Sequence, residues 1–183
     1  MVTAMDERRR VFLYELMGMV FIIILGSLLH FTFELSGHQA IAGVFSAVNE
    51  SVWEHLKLSY WPALAYALIE YRYLKKFTNN FVTAKTVGIY LMPILITTFF
   101  YAYTSVIEDS LIMDIFTFIL AIIIGQLASY KLLTAKELPR SFEKISLIAV
   151  LILGLAFVIF TFYPPQLPIF QDPVTGEYGI INH

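Results

Sequence analysis

The stretch VFLYELMGMVFIIILGSLLHFTFE, residues 11–34, carries two glutamates and one histidine in an otherwise almost wholly apolar run. A helix crosses the hydrocarbon core of a bilayer with about 20 mostly apolar residues. Three arginines precede the stretch, which is too long for the apolar region of a signal peptide, and no small-residue cleavage site follows it. We therefore predict that residues 11–34 form a retained transmembrane helix.

The rest of the 183-residue chain has the same character, with 58% hydrophobic and 14% charged residues. An average soluble domain has roughly 25% charged residues. Four further segments are predicted to span the membrane: residues 51–74, 82–103, 111–132 and 145–163. Apolar residues at helical spacing within 39–48 predict a short interfacial or re-entrant helix. The expected fold is an all-α polytopic integral membrane protein with five transmembrane helices. It has one membrane domain over residues 1–163 and a proline-rich tail over 164–183.

The distribution of basic residues predicts the orientation of these helices. With a cytoplasmic N-terminus, eleven of the twelve basic residues fall on the cytoplasmic side and only Lys57 falls outside. We expect a multi-pass protein of the cell membrane whose tail is extracytoplasmic. The tail contains the large apolar residues Phe170, Tyr178 and Ile180. We therefore predict that it packs as a lid over the extracytoplasmic ends of the helices. Residues 172–176, DPVTG, predict a tight turn.

This orientation gathers ionisable residues at the outer ends of the helices. The outer side receives all four histidines and several acids: His30, His38, His55, His183, Glu34, Glu50, Glu54, Glu108, Asp109 and Asp114. Ionisable groups at membrane depth are functional by default. Catalytic zinc takes three histidine or carboxylate ligands and keeps one position for water. The predicted metal ligands are His30, Glu34, His55 and Asp114, and the candidate catalytic carboxylates are Glu34, Glu54 and Asp114.

Each of these residues has a structural alternative. Ser51 and Glu54 have the spacing of a helix capping box, and His30 with Glu34 could be an ordinary hydrogen-bonded pair on one helical face. Glu50, Glu54 and Lys57 share a helical face, which is typical of a solvated, ion-paired surface. Since His55 is rotated by about 100° from Glu54 on a helix, it is expected to point into the bundle.

Two glutamates at the other ends of the helices have a simpler interpretation. Glu15 and Glu70 lie near cytoplasmic helix ends, close to arginine or lysine in the sequence. Interfacial salt bridges explain charged side chains at such positions.

Composition and missing motifs exclude several classes of function. The chain has no cysteine, which excludes disulfides, thiolate metal sites and cysteine nucleophiles. A net charge of −2 favours no nucleic-acid partner. The sequence contains no HExxH, GxSxG, P-loop or dinucleotide-binding glycine pattern.

Three segments together resemble a family of small prokaryotic polytopic membrane proteins of unknown function. They are HFTFELSGH (residues 30–38), AVNESVWEHLK (47–57) and QDPVTGEYG (171–179). The resemblance covers most of the chain. It implies that these segments form a shared site, and it implies nothing about a reaction.

Three functions remain open at this stage. The first is an outward-facing, metal-dependent intramembrane hydrolase that uses zinc and acts on a lipid or a membrane-bound peptide. The second is a small transporter, channel or solute-binding membrane protein, in which a homo-oligomer could complete a pathway. The third is a non-catalytic membrane assembly subunit whose polar cluster is structural. Membrane lipid is the expected surrounding partner in all three.

Overall fold

The computed structural model describes residues 4–180, and His183 lies outside them. In chain order the helices are α1 (Ala4–Leu35), α2 (Ala40–Phe45), α3 (Val52–Leu74), α4 (Phe81–Thr104), α5 (Leu111–Leu133) and α6 (Arg140–Phe162). Single 3₁₀ turns follow α3 and α6, at Lys75–Phe77 and Pro168–Phe170. The described residues form no β-strand beyond an isolated bridge between Gln171 and Tyr178. The predicted all-α fold is therefore confirmed.

The five long helices alternate in direction. His30 near the end of α1 lies 3.1 Å from His55 near the start of α3, so these two helices are antiparallel. At the other end of the bundle, Asn80 between α3 and α4 donates a hydrogen bond to the Lys136 carbonyl between α5 and α6. We call the end that holds His30 and His55 the histidine end. The short helix α2 and the C-terminal tail lie there as well, since α2 contacts α1, α3 and α6 and the tail contacts α3.

Glycines allow the closest approaches between helices. A Cβ atom on Gly88 of α4 would lie 2.9 Å from the carbonyl oxygen of Gly125 on α5. A Cβ on Gly125 would likewise lie 3.0 Å from the Gly88 carbonyl. Small residues let helix backbones meet in this way inside membranes, where dispersion contacts rather than the hydrophobic effect hold helices together.

Four helices, α1, α4, α5 and α6, are long and apolar enough to cross a membrane by length and composition. Large apolar side chains such as Ile24, Ile94 and Leu151 are exposed on these helices, as expected for surfaces that face lipid. These observations indicate a membrane protein. The remaining predicted span, residues 51–74, corresponds to α3. This helix is not among the four because its sequence is too polar.

Charged residues of α3 nevertheless lie inside the protein. The side chains of Lys57 and Glu54 are 0% and 3% exposed and are joined by an ion pair of 2.5 Å. Lys57 also donates to the Gly43 carbonyl of α2 at 2.7 Å and to the Thr161 hydroxyl of α6 at 2.8 Å. The alternative of a solvated face is wrong for these two residues, because their ion pair connects three helices in the interior.

The tail folds back onto the histidine end. Phe170 is buried and its ring lies 4.8 Å from Trp53 of α3 and 5.4 Å from Phe160 of α6, between ring centroids. The turn at residues 172–176 is closed by a hydrogen bond from the Gly176 N–H to the Asp172 carbonyl. Gly176 has a φ of +74°, which glycine adopts without steric cost. Aromatic packing and the turn together fix the tail against the helices.

Candidate metal centre

Three side chains from different segments converge at the histidine end. His30 comes from the last turns of α1, Glu50 from the connection between α2 and α3, and His55 from the first turn of α3. The two Nε2 atoms are 3.1 Å apart, and the Glu50 Oε2 atom lies 3.4 Å from His55 Nε2 and 3.8 Å from His30 Nε2. Among the described residues these three form a group of potential metal ligands.

The spacing of these three atoms fits a metal ion. Ligands at about 2.0–2.2 Å from a tetrahedral zinc ion lie about 3.3–3.6 Å from one another. The three observed distances of 3.1, 3.4 and 3.8 Å bracket that range. Two imidazoles and one carboxylate at this spacing could supply three of the four ligands of a tetrahedral ion.

The backbone orients the ring of His55 for this role. His55 Nδ1 lies 2.9 Å from the Ser51 carbonyl oxygen. A carbonyl only accepts hydrogen bonds, so Nδ1 carries the proton and Nε2 keeps its lone pair in the neutral ring. A hydrogen bond from the other ring nitrogen commonly fixes a metal-ligating histidine in this manner.

Glu50 is the potential ligand that the sequence interpretation did not include. The helix begins after Ser51, whose extended backbone makes it the N-cap and whose hydroxyl accepts a hydrogen bond from the Glu54 N–H. Glu50 therefore lies outside the helix and does not share a helical face with Glu54. The capping-box spacing of Ser51 and Glu54 was the signal that could have revealed this.

The connection that carries Glu50 is held by the tail. The Glu50 N–H donates to Asp172 Oδ2 at 3.0 Å, and the Asn49 side chain donates to the Gly179 carbonyl at 2.8 Å. Asn49 also accepts a hydrogen bond from the Ser51 N–H at 2.9 Å. The position of one potential ligand thus depends on residues more than a hundred positions away in the chain.

The two carboxylates at this connection are both favoured in the ionised form. When His55 is protonated on both ring nitrogens, its Nε2–H donates to Glu50, and this hydrogen bond is the main cause that holds the pKa of Glu50 below its usual range, against partial burial. A metal ion bound at Nε2 would take the place of that proton. Burial alone would raise the pKa of Asp172, but backbone N–H groups of Glu50, Thr175 and Val174 outweigh it and the net shift of the pKa is downward. Glu50 is therefore ionised, as a metal ligand must be.

The three ligands open onto a cavity of about 460 Å³ between α1, α3, α4, α5 and the tail. Such a volume lies within the range of small-molecule sites. Much of its wall is apolar and comes from the following residues: Leu58, Ile96, Phe100, Leu111, Ile115 and Phe118. The tail contributes to the same wall: Pro168, Gln171, Pro173 and Val174. The tail, which was predicted to form a lid, therefore forms part of the cavity wall.

Asp114 lies on the same cavity, together with Asp109. The Tyr103 hydroxyl contacts Asp114 and lies 2.7 Å from Asp109 Oδ1. Asp114 is also close enough to act on His55 electrostatically. A carboxylate that contacts a tyrosine and lines the same cavity as the potential metal ligands could serve as a general base.

Other predicted site residues lie elsewhere. Glu34 is exposed and does not line the cavity. Glu54 is buried against Lys57 and accepts a hydrogen bond from the Val48 N–H at 3.0 Å, also away from the cavity. The structure thus brings together His30 and His55, places Asp114 on the same cavity, and adds Glu50.

Comparison with known proteins identifies a family without an activity. A model described as a family of unknown function, DUF6512, matches residues 4–180. No curated protein and no solved structure matches the chain. The resemblance to a family of unknown function is therefore confirmed, and the geometry of the site must carry any statement about its chemistry.

Proposed function

Because the chain belongs to DUF6512, a family of unknown function, we propose a function from its own geometry: a membrane-embedded, metal-dependent hydrolase. The observation that carries the proposal is the convergence of His30, Glu50 and His55, with spacings that suit one tetrahedral ion, on a cavity with an apolar wall. Zinc is the metal that this donor set favours, since two imidazoles and one carboxylate with an open position make a common catalytic zinc site. Bound there, zinc would act as a Lewis acid and make water a stronger nucleophile.

Asp114 is assigned as the general base in this proposal. It lines the same cavity as His30, Glu50 and His55, whereas Glu34 and Glu54 do not line it. Asp114 would accept a proton as water adds to an ester or amide carbonyl, and the products would be a carboxylic acid and an alcohol or amine. Tyr103 contacts Asp114 and would hold it in position.

The proposed substrate is a lipid or a membrane-bound peptide. The cavity wall combines the potential ligands with apolar residues of α3, α4 and α5, among them Leu58, Ile96 and Phe118. An amphiphilic substrate would place its apolar part against this wall and its ester or amide group beside the ligands. Membrane lipid would then be both the surroundings of the protein and the source of the substrate.

The proposal includes five spanning helices with the histidine end outside the cytoplasm of the cell. At 23 residues, α3 is about 34 Å long at 1.5 Å per residue, which is sufficient to cross a bilayer. Its buried charges, Glu54, Lys57 and Glu70, all have partners of opposite charge, so composition understates how well α3 fits a membrane. The excess of lysine and arginine at the opposite end supports a cytoplasmic N-terminus.

Metal content tests the site. The protein, purified in detergent without a polyhistidine tag or chelators and incubated with zinc, is expected to hold near-stoichiometric zinc by mass spectrometry. His30→Ala and His55→Ala should lose it, and Glu50→Gln should weaken it. Glu34→Gln is the matched control, because it removes an exposed carboxylate one turn from His30 and should keep full occupancy. Full occupancy in the His55 variant, or no zinc in the wild type, would refute the proposed ligands.

Hydrolysis of a panel of acyl esters, amides and peptides in micelles tests the reaction. The wild type should turn over a member of the panel only with metal bound. Asp114→Asn should keep its zinc and lose about 10²–10⁴-fold in rate, the usual contribution of a general base. Unchanged turnover in this variant would show that Asp114 is not the base.

A solute-binding or transport function is the second candidate. The observation in its favour is that three carboxylates, Glu50, Asp109 and Asp114, line one cavity. Metal-loaded protein that hydrolyses nothing in the panel, but moves a cation or solute across liposome membranes, would support this candidate over hydrolysis.

A further inference from the structure

A second cluster of charged residues is buried far from the candidate metal centre. Lys85 of α4 lies 2.5 Å from Glu15 of α1 and also contacts Glu70 of α3. The two glutamate side chains are 0% exposed and the lysine side chain is 7% exposed. The expected salt bridges of Glu15 and Glu70 are therefore present, but their partner is a buried lysine from a third helix rather than a neighbouring basic residue at the membrane surface. We call these three residues the acid–lysine triad.

The triad and the metal centre occupy different halves of the same helices. Glu15 and His30 are fifteen residues apart on α1, and Glu70 and His55 are fifteen apart on α3. At 1.5 Å per residue, each separation is about 22 Å along the helix. The triad therefore needs a function or a structural reason of its own.

Charges within the triad do not balance. Two carboxylates face one ammonium group, and the Ser129 hydroxyl, which donates to Glu15 at 3.2 Å, brings no charge. Glu15 Oε2 and Glu70 Oε1 are buried and have no hydrogen-bond partner. An uncompensated charge in an apolar interior is very costly, and such sites neutralise it by taking up a proton or an ion.

We propose that the acid–lysine triad is a binding site for one exchangeable proton, shared between Glu15 and Glu70. Because both carboxylates contact the same lysine nitrogen, they are adjacent and act on each other electrostatically. One proton restores neutrality with Lys85 and removes the charge from a carboxylate that has a buried oxygen without a hydrogen-bond partner. Two such carboxylates titrate as a pair rather than as separate groups.

A proton fits the site better than a metal cation. None of the triad residues lines either the large cavity or the smaller one of about 220 Å³ near Asn80. A sodium ion would need room and several oxygen ligands, whereas a proton needs neither. The nearby titratable groups are Tyr66 of α3, on which both glutamates act electrostatically, and Tyr14 of α1, whose carbonyl accepts a hydrogen bond from the Tyr66 hydroxyl at 2.7 Å. α5 contributes uncharged groups near Glu15, Ser129 and Gln126.

The proposal fixes the sign of a pH effect. The folded chain would hold a proton that the unfolded chain releases at ordinary glutamate pH. Stability from the triad is then complete below the ordinary glutamate pKa of about 4.3, and it declines as the pH rises from there through the point at which the folded triad loses its proton. Acidic residues at membrane depth form the proton relays of pumps and transporters.

Infrared spectroscopy of the protein in lipid measures the proton directly. The carbonyl band of a protonated carboxylic acid should persist at neutral pH, disappear at higher pH, and be absent from Glu70→Gln and Glu15→Gln. Replacing sodium with choline should leave it unchanged. The proposal would be overturned if the wild type showed no such band or if neither substitution changed the band. A band that changes when sodium is replaced with choline would also overturn it.

Thermal unfolding provides a second measurement that does not depend on the infrared signal. Lys85→Met should lower the Tm strongly, since it leaves two buried carboxylates without a cation. The triple variant Glu15→Gln/Glu70→Gln/Lys85→Met should recover most of that loss. Glu70→Gln alone should remove the fall of the Tm with rising pH. An equal fall of the Tm with rising pH in Glu70→Gln and wild type would refute a shared proton. Zinc content serves as the control for folding, because the metal centre lies in the other half of the protein.

Discussion

Replacing Lys57 with methionine tests whether Glu54 is structural. Lys57 Nζ lies 2.5 Å from Glu54 and donates to Gly43 at 2.7 Å and Thr161 at 2.8 Å. Methionine fills a similar volume but donates nothing, so the buried Glu54 carboxylate would keep the Val48 N–H but no cation. Breaking a buried ion pair costs about 3–5 kcal/mol. At about 2–4 °C per kcal/mol for a chain of this size, the expected loss of Tm is about 6–20 °C.

The assay is thermal unfolding in detergent, followed by the fluorescence of the two tryptophans. Glu54→Gln/Lys57→Met removes the unpaired charge and should recover most of the loss, while Lys76→Met, at an exposed lysine, is the neutral control. The double variant should also bind zinc as the wild type does, because Glu54 does not line the cavity. A single variant within about 2 °C of wild type would refute the energetic reasoning. Loss of zinc from a folded double variant would instead show that Glu54 contributes to the candidate metal centre.

Two further predictions concern the tail and the helix contacts. Since the folded-state pKa values of Glu50 and Asp172 are lowered, their stabilising effect is complete above about pH 4–5 and is lost as the pH falls through those lowered values. Limited proteolysis should therefore cut the tail faster in acid, and Asp172→Asn should expose it already at neutral pH; equal cleavage rates would contradict this. Gly88→Ala should destabilise the protein by about 1–3 kcal/mol, because its Cβ meets the Gly125 carbonyl at 2.9 Å. The control is Val87→Ala, at a lipid-facing position of α4. An unchanged Tm in Gly88→Ala would contradict the prediction, because α4 and α5 would then move apart without loss of stability.

The pairing of His30 with His55 follows from topology that the sequence does reveal. His30 lies near the C-terminal end of the first predicted span and His55 near the N-terminal end of the second, and consecutive predicted spans must run in opposite directions. The position of Glu50 depended instead on one backbone detail, the start of α3 at Val52. A helical period extended through Ser51 assigns Glu50 to the face of Glu54, whereas the real chain turns at Ser51 and sends the two carboxylates to different places.

The acid–lysine triad marks a second limit of sequence reasoning. Lys85 is the fifth residue of α4, where a lysine is expected to reach the membrane surface. Its actual partners, Glu15 and Glu70, come from two other helices. Their meeting depends on how three helices are rotated about their axes, and local charge patterns carry no information on that rotation. Composition likewise leaves α3 out of the four candidate spans, because it counts Glu54, Lys57 and Glu70 as polar wherever their partners lie.

The hydrogen bonds from the tail to the Glu50 connection impose an order on biosynthesis. Residues 164–180 follow all five long helices in the chain, so the ribosome makes them after the helices that carry both histidines. During that interval His30 and His55 can already meet, but Asp172 and Gly179 do not yet hold Asn49 and Glu50. Glu50, the third residue of the candidate metal centre, is thus held in place only after residues 172–179 have been made, whereas the two histidines can approach each other earlier.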